Sequence, residues 1–314
     1  MDIKHLKQLW KECGFDPRKA LGQNFLIDNN VKNKIIGSLD LGKGATVVEI
    51  GPGFGMMTFG LAERCGRLIA VDKDARICGI MSDLCKDADN ITLVNADILD
   101  VDICALAGGD GRLTVNGQPP EGVGKLTVYG NIPYNISTPI IERLIETRRC
   151  IDSVYMVIQE ELAERIAASP GSKDFGSLTC FVQFYVGVKK LFRISRNCFY
   201  PRPKVDSCLL SLKMLDKPSV EVADERLMFR VIRKAFSQRR KKAVNPLSDG
   251  SFGRMDKEAW QKMFTSCGID PASRAEALAL SDYARLADAV KKALGSRESW
   301  GDTDMHGSIT DKHG

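Results

Sequence analysis

The apolar positions of this chain fall into two alternating kinds of run. Short unbroken blocks, "ATVVEIG" (45–51), "RLIAVD" (67–72), "NITLVNAD" (90–97) and "KLTVYG" (125–130), read as buried strands. Between and after them, "MTFGLAERC" (57–65), "ARICGIMSDLCKD" (75–87) and "TPIIERLIETR" (138–148) space their apolar residues with a helical period. "SVYMVIQEELAERI" (153–166) reads as a strand running into a helix, and "FVQFYVGVKKLFRI" (181–194) and "SCLLSLKML" (207–215) as the last strands. Apolar strands alternating with helices predict an α/β, Rossmann-like fold with a mostly parallel sheet covered on both faces.

From about residue 216 the pattern becomes helical only, over 224–243, 255–267 and 281–294. The expected organisation is therefore an α/β domain over 1–215, a small all-helical domain over 216–295 and a polar, disordered tail over 296–314. The Gly- and Pro-rich stretch 108–124 reads as an insertion between two strands.

Composition narrows the chemistry. The chain has 314 residues, 44% of them apolar and 27% charged, which suits a globular protein with a core of its own. Its N-terminus lacks the apolar block of a signal peptide, and no run is long enough to span a membrane, so a cytoplasmic protein is expected. Ten cysteines are scattered without CxxC spacing, and reduced, mostly buried thiols are expected. The three histidines, at 5, 306 and 313, leave the body of the fold without an imidazole base or a multi-histidine metal site. No metal is expected.

The net charge of +5 is unevenly placed. Between Glu225 and Lys242 stand eight basic residues, among them Arg233, Lys234, Arg239, Arg240, Lys241 and Lys242, and one acid. In the same stretch Leu227, Met228, Val231, Ile232, Ala235 and Phe236 form one apolar helical face. A solvated surface helix is the plain alternative, but acids for intrahelical pairing are nearly absent, which favours contact with RNA phosphates. Arg202 and Lys204 add charge near "FYPRPK".

Three glycines, Gly51, Gly53 and Gly55, follow the first long strand in "VEIGPGFG", with Glu49 two residues before the first. Glycine there lets a backbone approach a ligand closely. The spacing is GxGxG, not the GxGxxG of dinucleotide sites. Asp72 ends the next strand, where an acid can accept from ribose hydroxyls, and Asp97 ends the third, where one can accept from an adenine amine. No basic residue sits in the glycine loop, which suits a nucleoside without phosphates, such as S-adenosylmethionine. A dinucleotide site and a plain tight turn are the competing readings of the glycines alone.

"NIPYNIS" (131–137) follows the fourth strand and contains no group that titrates near neutral pH. Methylating an exocyclic amine needs little base, because the nitrogen loses its proton readily once it is cationic. It needs hydrogen-bond acceptors that orient the N–H groups and draw the lone pair out of the ring. The Asn131 side-chain oxygen and the Ile132 carbonyl can do this, Pro133 fixes the backbone, and Tyr134 offers a stacking face.

With "LGQNFLID" (21–28), "NIPYNISTPII", "FYPRPKVDS" (199–207), "AFSQRRKKAVNPL" (235–247) and "RAEALALSDYARLA" (274–287), the chain resembles the rRNA adenine N6-dimethyltransferases, most closely the KsgA/RsmA small-subunit type, across nearly its whole ordered length. The resemblance implies a class I methyltransferase that dimethylates adenosines of small-subunit (16S) rRNA during ribosome biogenesis. It implies S-adenosylmethionine as cofactor, an immature small subunit as partner, no membrane, and a monomer. Cofactor contacts would come from Asn24, Leu26, Gly51, Gly53, Asp72, Asp97, Ile98 and Asn131. The target adenine would meet Asn131, Ile132, Pro133 and Tyr134, with Phe181 as the opposite face. Two positions depart from the usual pattern: Asp72 stands for a glutamate, and "NIPY" for "NLPY". An Erm-type large-subunit (23S) methyltransferase is the alternative enzyme, and a non-catalytic assembly factor the alternative of another class. "LGQNFLID", "AFSQRRKK" and "RAEAL" favour the small-subunit reading, and the intact "NIPY" favours catalysis.

Overall fold

A computed structural model describes residues 3–15, 23–107, 124–253 and 255–295. The expected insertion, apart from Gly124, and the expected tail from residue 296 lie outside the described residues, as do Leu21 and Gly22 of the first motif.

Nine strands lie among the described residues: β1 (Phe25–Leu26), β2 (Thr46–Ile50), β3 (Arg67–Asp72), β4 (Ile91–Asn95), β5 (Leu126–Asn131), β6 (Ile151–Gln159), β7 (Val186–Ile194), β8 (Phe199–Tyr200) and β9 (Ser207–Met214). Seven form one sheet in the order β4-β3-β2-β5-β6-β9-β7. The pairs from β4 to β6 are parallel, and β6 pairs β9 antiparallel. The expected α/β fold class is what the chain adopts. Val47, Val48, Leu68, Val128 and Val154 are fully buried, so these strands read as continuous apolar runs rather than alternating ones. Strand order reverses at β2, with β3 on one side and β5 on the other, and such a switch opens a crevice beyond the strands' carboxyl ends.

Two local devices frame that crevice. Asp28 caps helix Asn29–Ser38 by accepting from the Asn30 and Val31 amides, and Asp74 caps helix Ala75–Leu84 by accepting from Arg76. β1 pairs antiparallel with β8, Phe25 opposite Tyr200. The Phe25 ring lies 5.6 Å from Trp10 and 5.2 Å from Phe54, in an aromatic cluster that holds the 23–26 segment.

The chain divides into two compact units. The first runs to Ala163 and includes Gly187–Met214; it contains the sheet. The second comprises Glu164–Val186 and the chain from Leu215 onward. The helical unit thus takes in 164–186 as well as the region expected after 216. Its helix Glu225–Phe236 starts on an Asp224 cap and buries Leu227, Met228, Val231, Ile232, Ala235 and Phe236, the six residues of the expected apolar face. Trp260, Phe264 and Tyr283 complete this unit's core, with Tyr283 donating to the Ala275 carbonyl at 2.9 Å.

Three expectations need correction. Residues 181–185 are not strand: helix Ser177–Tyr185 occupies them, and strand begins at Val186. Aromatic and β-branched residues favour strand locally, but the Thr179 hydroxyl accepts from the Gly176 amide, and the Gln183 amide donates to the Ile166 and Ala168 carbonyls. The helix expected over 224–243 stops at Phe236, where the Ser237 hydroxyl bonds back to the Lys234 carbonyl at 2.7 Å. "RRKK" therefore lies in the turn beyond the helix, where the Arg239 guanidinium donates to the Lys173 and Phe175 carbonyls. Not all cysteines are free thiols: Cys104 and Cys150, 46 residues apart, are disulfide-bonded, because the fold brings their Cα atoms to 5.4 Å. No described helix is long and apolar enough to cross a membrane.

Candidate active site

A cleft opens at the carboxyl ends of β2, β3 and β5, lined by the first unit alone. It gathers Asn24, Leu26, Gly51, Gly53, Asp72, Asp97, Ile98, Asn131, Ile132, Pro133 and Tyr134, residues scattered over more than a hundred positions of sequence. Phe181 belongs to the second unit, where its ring lies 5.6 Å from Tyr185 and 5.7 Å from Phe229.

The glycine loop shapes one wall. Gly51 has φ +70°, a region that disfavours side chains, and nothing lies within 4 Å of where its Cβ would stand, so the backbone itself faces open space. At Gly53, φ +55°, a Cβ would come within 2.9 Å of the Phe25 ring. Gly51 leaves room for a ligand against bare main chain, whereas at Gly53 the Phe25 ring takes the space a side chain would need.

Acids line the same cleft. Asp72 accepts from the Asp74 amide at 2.8 Å, and burial pushes its carboxyl up to about 6. Asp97 is held by the Leu99 amide at 3.1 Å and faces Lys73 Nζ at 3.6 Å. Deeper in, Glu49 is 1% exposed, and burial pushes its carboxyl up to about 8, with the Thr58 hydroxyl lowering it in part. Its Oε2 has no hydrogen-bond partner among the described residues, nor does the hydroxyl of Tyr129. The two stand side by side, because Glu49 of β2 is in register with Tyr129 of β5. A buried carboxyl oxygen without a partner suits a ligand that brings a cationic or hydrogen-donating group.

The Asn131 amide is oriented by one bond: its Nδ2 donates to the Asn24 carbonyl at 2.8 Å. An amide that donates on one side presents its Oδ1 as an acceptor on the other. Pro133 (φ −55°, ψ 131°) turns the chain outward, and its carbonyl accepts from Ile136 at 3.1 Å and from the Ser137 hydroxyl at 3.2 Å. Ile132 is buried, and its amide donates to the Val157 carbonyl at 3.1 Å. The half-buried Tyr134 is hydrogen-bonded through its hydroxyl to Ser207 Oγ at 2.8 Å.

The family described as ribosomal RNA adenine dimethylase matches residues 14–292. The chain belongs to that family. Curated relatives agree with the dimethylase assignment. A "Ribosomal RNA small subunit methyltransferase A" of Bacillus cereus is 37% identical over 285 residues, covering 90% of this chain and 94% of the relative. The protein of the same name from Pelotomaculum thermopropionicum is 38% identical over 290 residues, covering 92% and 97%. Among solved structures, a dimethyladenosine transferase from Plasmodium falciparum superposes with TM-score 0.68 at 21% identity, over 83% of this chain and 95% of that one. The 23S rRNA methyltransferase ErmE gives 0.63 at 23% identity, over 85% and 99%. At those identities the structural likenesses speak for the dimethylase fold alone. As a dimethylase the chain is an enzyme that requires a methyl donor.

The expected phosphate contacts are mixed in character. Arg239 is exposed, but its guanidinium is engaged with two main-chain carbonyls, and Lys234 is paired with Asp249. Arg233 is part-buried on the helix, Arg202 donates to the Asn197 side chain at 3.3 Å, and Lys204, Arg240, Lys241 and Lys242 are exposed. Sequence reasoning noticed Glu49 without placing it in the site, and missed Tyr129 and Lys73. The available signal was an acid inside an otherwise apolar strand, a position that is costly unless it is used.

Proposed function

We propose that this dimethylase transfers two methyl groups from S-adenosylmethionine to the N6 amines of adenosines in small-subunit rRNA, on an immature small subunit in the cytoplasm. The observation that carries the reading is the Asn131 amide, held by Asn24 so that its Oδ1 is available as an acceptor beside the cleft. The curated relatives, at 37–38% identity, favour small-subunit rRNA as substrate.

The cleft's donors and acceptors suit the cofactor. Gly51 supplies bare main chain for its amino-acid part, with the Glu49 carboxyl beyond as an acceptor for an ammonium, whose charge would favour the ionised form. Asp72 is available to ribose hydroxyls and Asp97 to an adenine amine, with Ile98 and Leu26 as apolar walls. When bound, that cofactor supplies an electrophilic sulfonium methyl with a neutral leaving group. The protein's part is positioning. Asn131 Oδ1 and the Ile132 carbonyl accept from the two N–H groups of N6, which turns the nitrogen lone pair out of conjugation with the ring. Tyr134 stacks on the base, which must be single-stranded or flipped out to reach it. After transfer the nitrogen carries one proton too many, and water removes it. The second unit, with Arg240, Lys241 and Lys242 exposed, holds RNA phosphates.

The test uses labelled S-adenosylmethionine with unmethylated small-subunit particles, with large-subunit rRNA and with no RNA, followed by digestion to nucleosides. N6,N6-dimethyladenosine from the small-subunit particles alone is the expected result. Product only from large-subunit rRNA would replace the substrate assignment. Binding of cofactor and RNA without transfer would make the chain an assembly factor.

A further inference from the structure

Tyr134 sits in a single turn, Tyr134–Ile136, in which the Pro133 carbonyl accepts from the Ile136 amide and the Ser137 hydroxyl. Its ring reaches away from that turn, and the far end is caught by Ser207 Oγ. Ser207 lies in regular structure. It is the first residue of β9, fully buried, and in register with Gln159 of β6. The preceding residue is braced as well. The Asp206 carboxylate accepts from the Arg196 amide at 2.8 Å and pairs with the Arg193 guanidinium, and its carbonyl accepts from the Glu160 amide at 3.1 Å. A ring on a short loop is thus tied at its tip to the frame of the sheet.

We propose that Ser207 is a positioning residue for methyl transfer: its hydroxyl fixes the plane of the Tyr134 ring against which the accepting base lies. The proposal rests on the reading of Tyr134 given above. A phenol hydrogen-bonded at its para position cannot tilt about its Cβ without breaking the bond, so the stacked base is held at a set distance from the methyl donor. Small misplacements in such a geometry are costly in rate. Ser207 itself need not touch base or cofactor. It acts through Tyr134.

The experiment compares wild type, Ser207→Ala, Tyr134→Phe and the double variant in single-turnover methyl transfer to small-subunit particles. Affinities for S-adenosylhomocysteine and for the particles are measured alongside. Each single variant is expected to lose about threefold to tenfold in rate, the range for one hydrogen bond, with both affinities within about twofold. The double variant is expected to lose no more than either single one, because both remove the same bond. An unchanged rate in Ser207→Ala, losses that multiply in the double variant, or a loss confined to the affinities would each overturn the tether. Should Ser207→Ala fail to fold, Tyr134→Phe decides alone: it keeps the ring and Ser207, and full rate overturns the proposal. Wild-type protein that transfers no methyl would overturn the functional reading, and the tether's role with it. An active wild type beside an unaffected variant overturns the tether only.

Discussion

The cleft at the ends of β2, β3 and β5 and the basic turn after helix Glu225–Phe236 both carry polar side chains, but they hold them differently. In the cleft each group has a fixed orientation: Asn131 by Asn24, Asp72 by the Asp74 amide, Asp97 by the Leu99 amide and Tyr134 by Ser207. In the turn, Arg240, Lys241 and Lys242 are exposed, and only Arg239 is fastened, to two carbonyls. A site that must orient one nitrogen needs few, rigid, partly buried groups. A surface that meets a polyanion needs charge, and its members are exchangeable. Substitutions should therefore be severe and individual in the cleft, and mild and collective in the turn.

The largest expected effect is at Asn131. Asn131→Ala should lower turnover by about a hundredfold or more, as loss of a preorganised polar contact does, while RNA affinity stays within a few-fold. Equal loss of both would remove the contrast. Next, Asp97→Ala should weaken S-adenosylhomocysteine binding by about tenfold to a hundredfold, read by calorimetry. An unchanged affinity would take the adenine contact away from Asp97.

Glu49 gives a pH signature. Its folded-state value, about 8, lies above the ordinary 4.5, so the folded protein holds a proton that the unfolded chain releases in that window. The associated stability is complete below about 4.5 and is lost as pH rises through about 8. Asp72, raised from 3.8 to about 6, adds a loss of the same sign at lower pH. Melting temperatures of the ligand-free protein should fall across this range, and Glu49→Gln should flatten the upper part of the curve. An identical curve for the variant would mean that the carboxyl is already ionised.

Smaller effects belong to the turn. Neutralising Arg240, Lys241 and Lys242 together should reduce the slope of log affinity against log salt by about two units, given roughly 0.7 per phosphate contact on single strands. An unchanged slope would take the turn out of the interface. Smallest of all, Arg239→Ala should cost about 1 kcal/mol of stability from the lost carbonyl contacts, with little change in that slope. A slope change like that of its neighbours would show that Arg239 leaves those carbonyls to bind phosphate.

Much of the cleft was legible because its residues lie in short motifs at strand ends. Gly51, Gly53, Asp72, Asp97 and the "NIPY" run are local features, recognisable from strand, turn and residue type together. Which way the Asn131 amide points was not legible, because a carbonyl 107 residues away sets it. Nor was the Glu49–Tyr129 pair, which depends on the register of two strands far apart in sequence.

The chain's own order of apolar and polar residues determined the alternation of strands and helices, the apolar face of helix Glu225–Phe236 and the placing of chemistry at strand ends. These follow from local periodicity, which needs no knowledge of partners. Tertiary structure decided what depends on contacts between distant segments. It made 181–185 helical by tying Gln183 to the Ile166 and Ala168 carbonyls, fastened Arg239 of "RRKK" to the Lys173 and Phe175 carbonyls, and joined Cys104 to Cys150. It also set Ser207 behind Tyr134, 73 residues away. Hydrogen bonds and burial across such separations exist only once the chain has folded, and the local pattern of either partner alone does not show them.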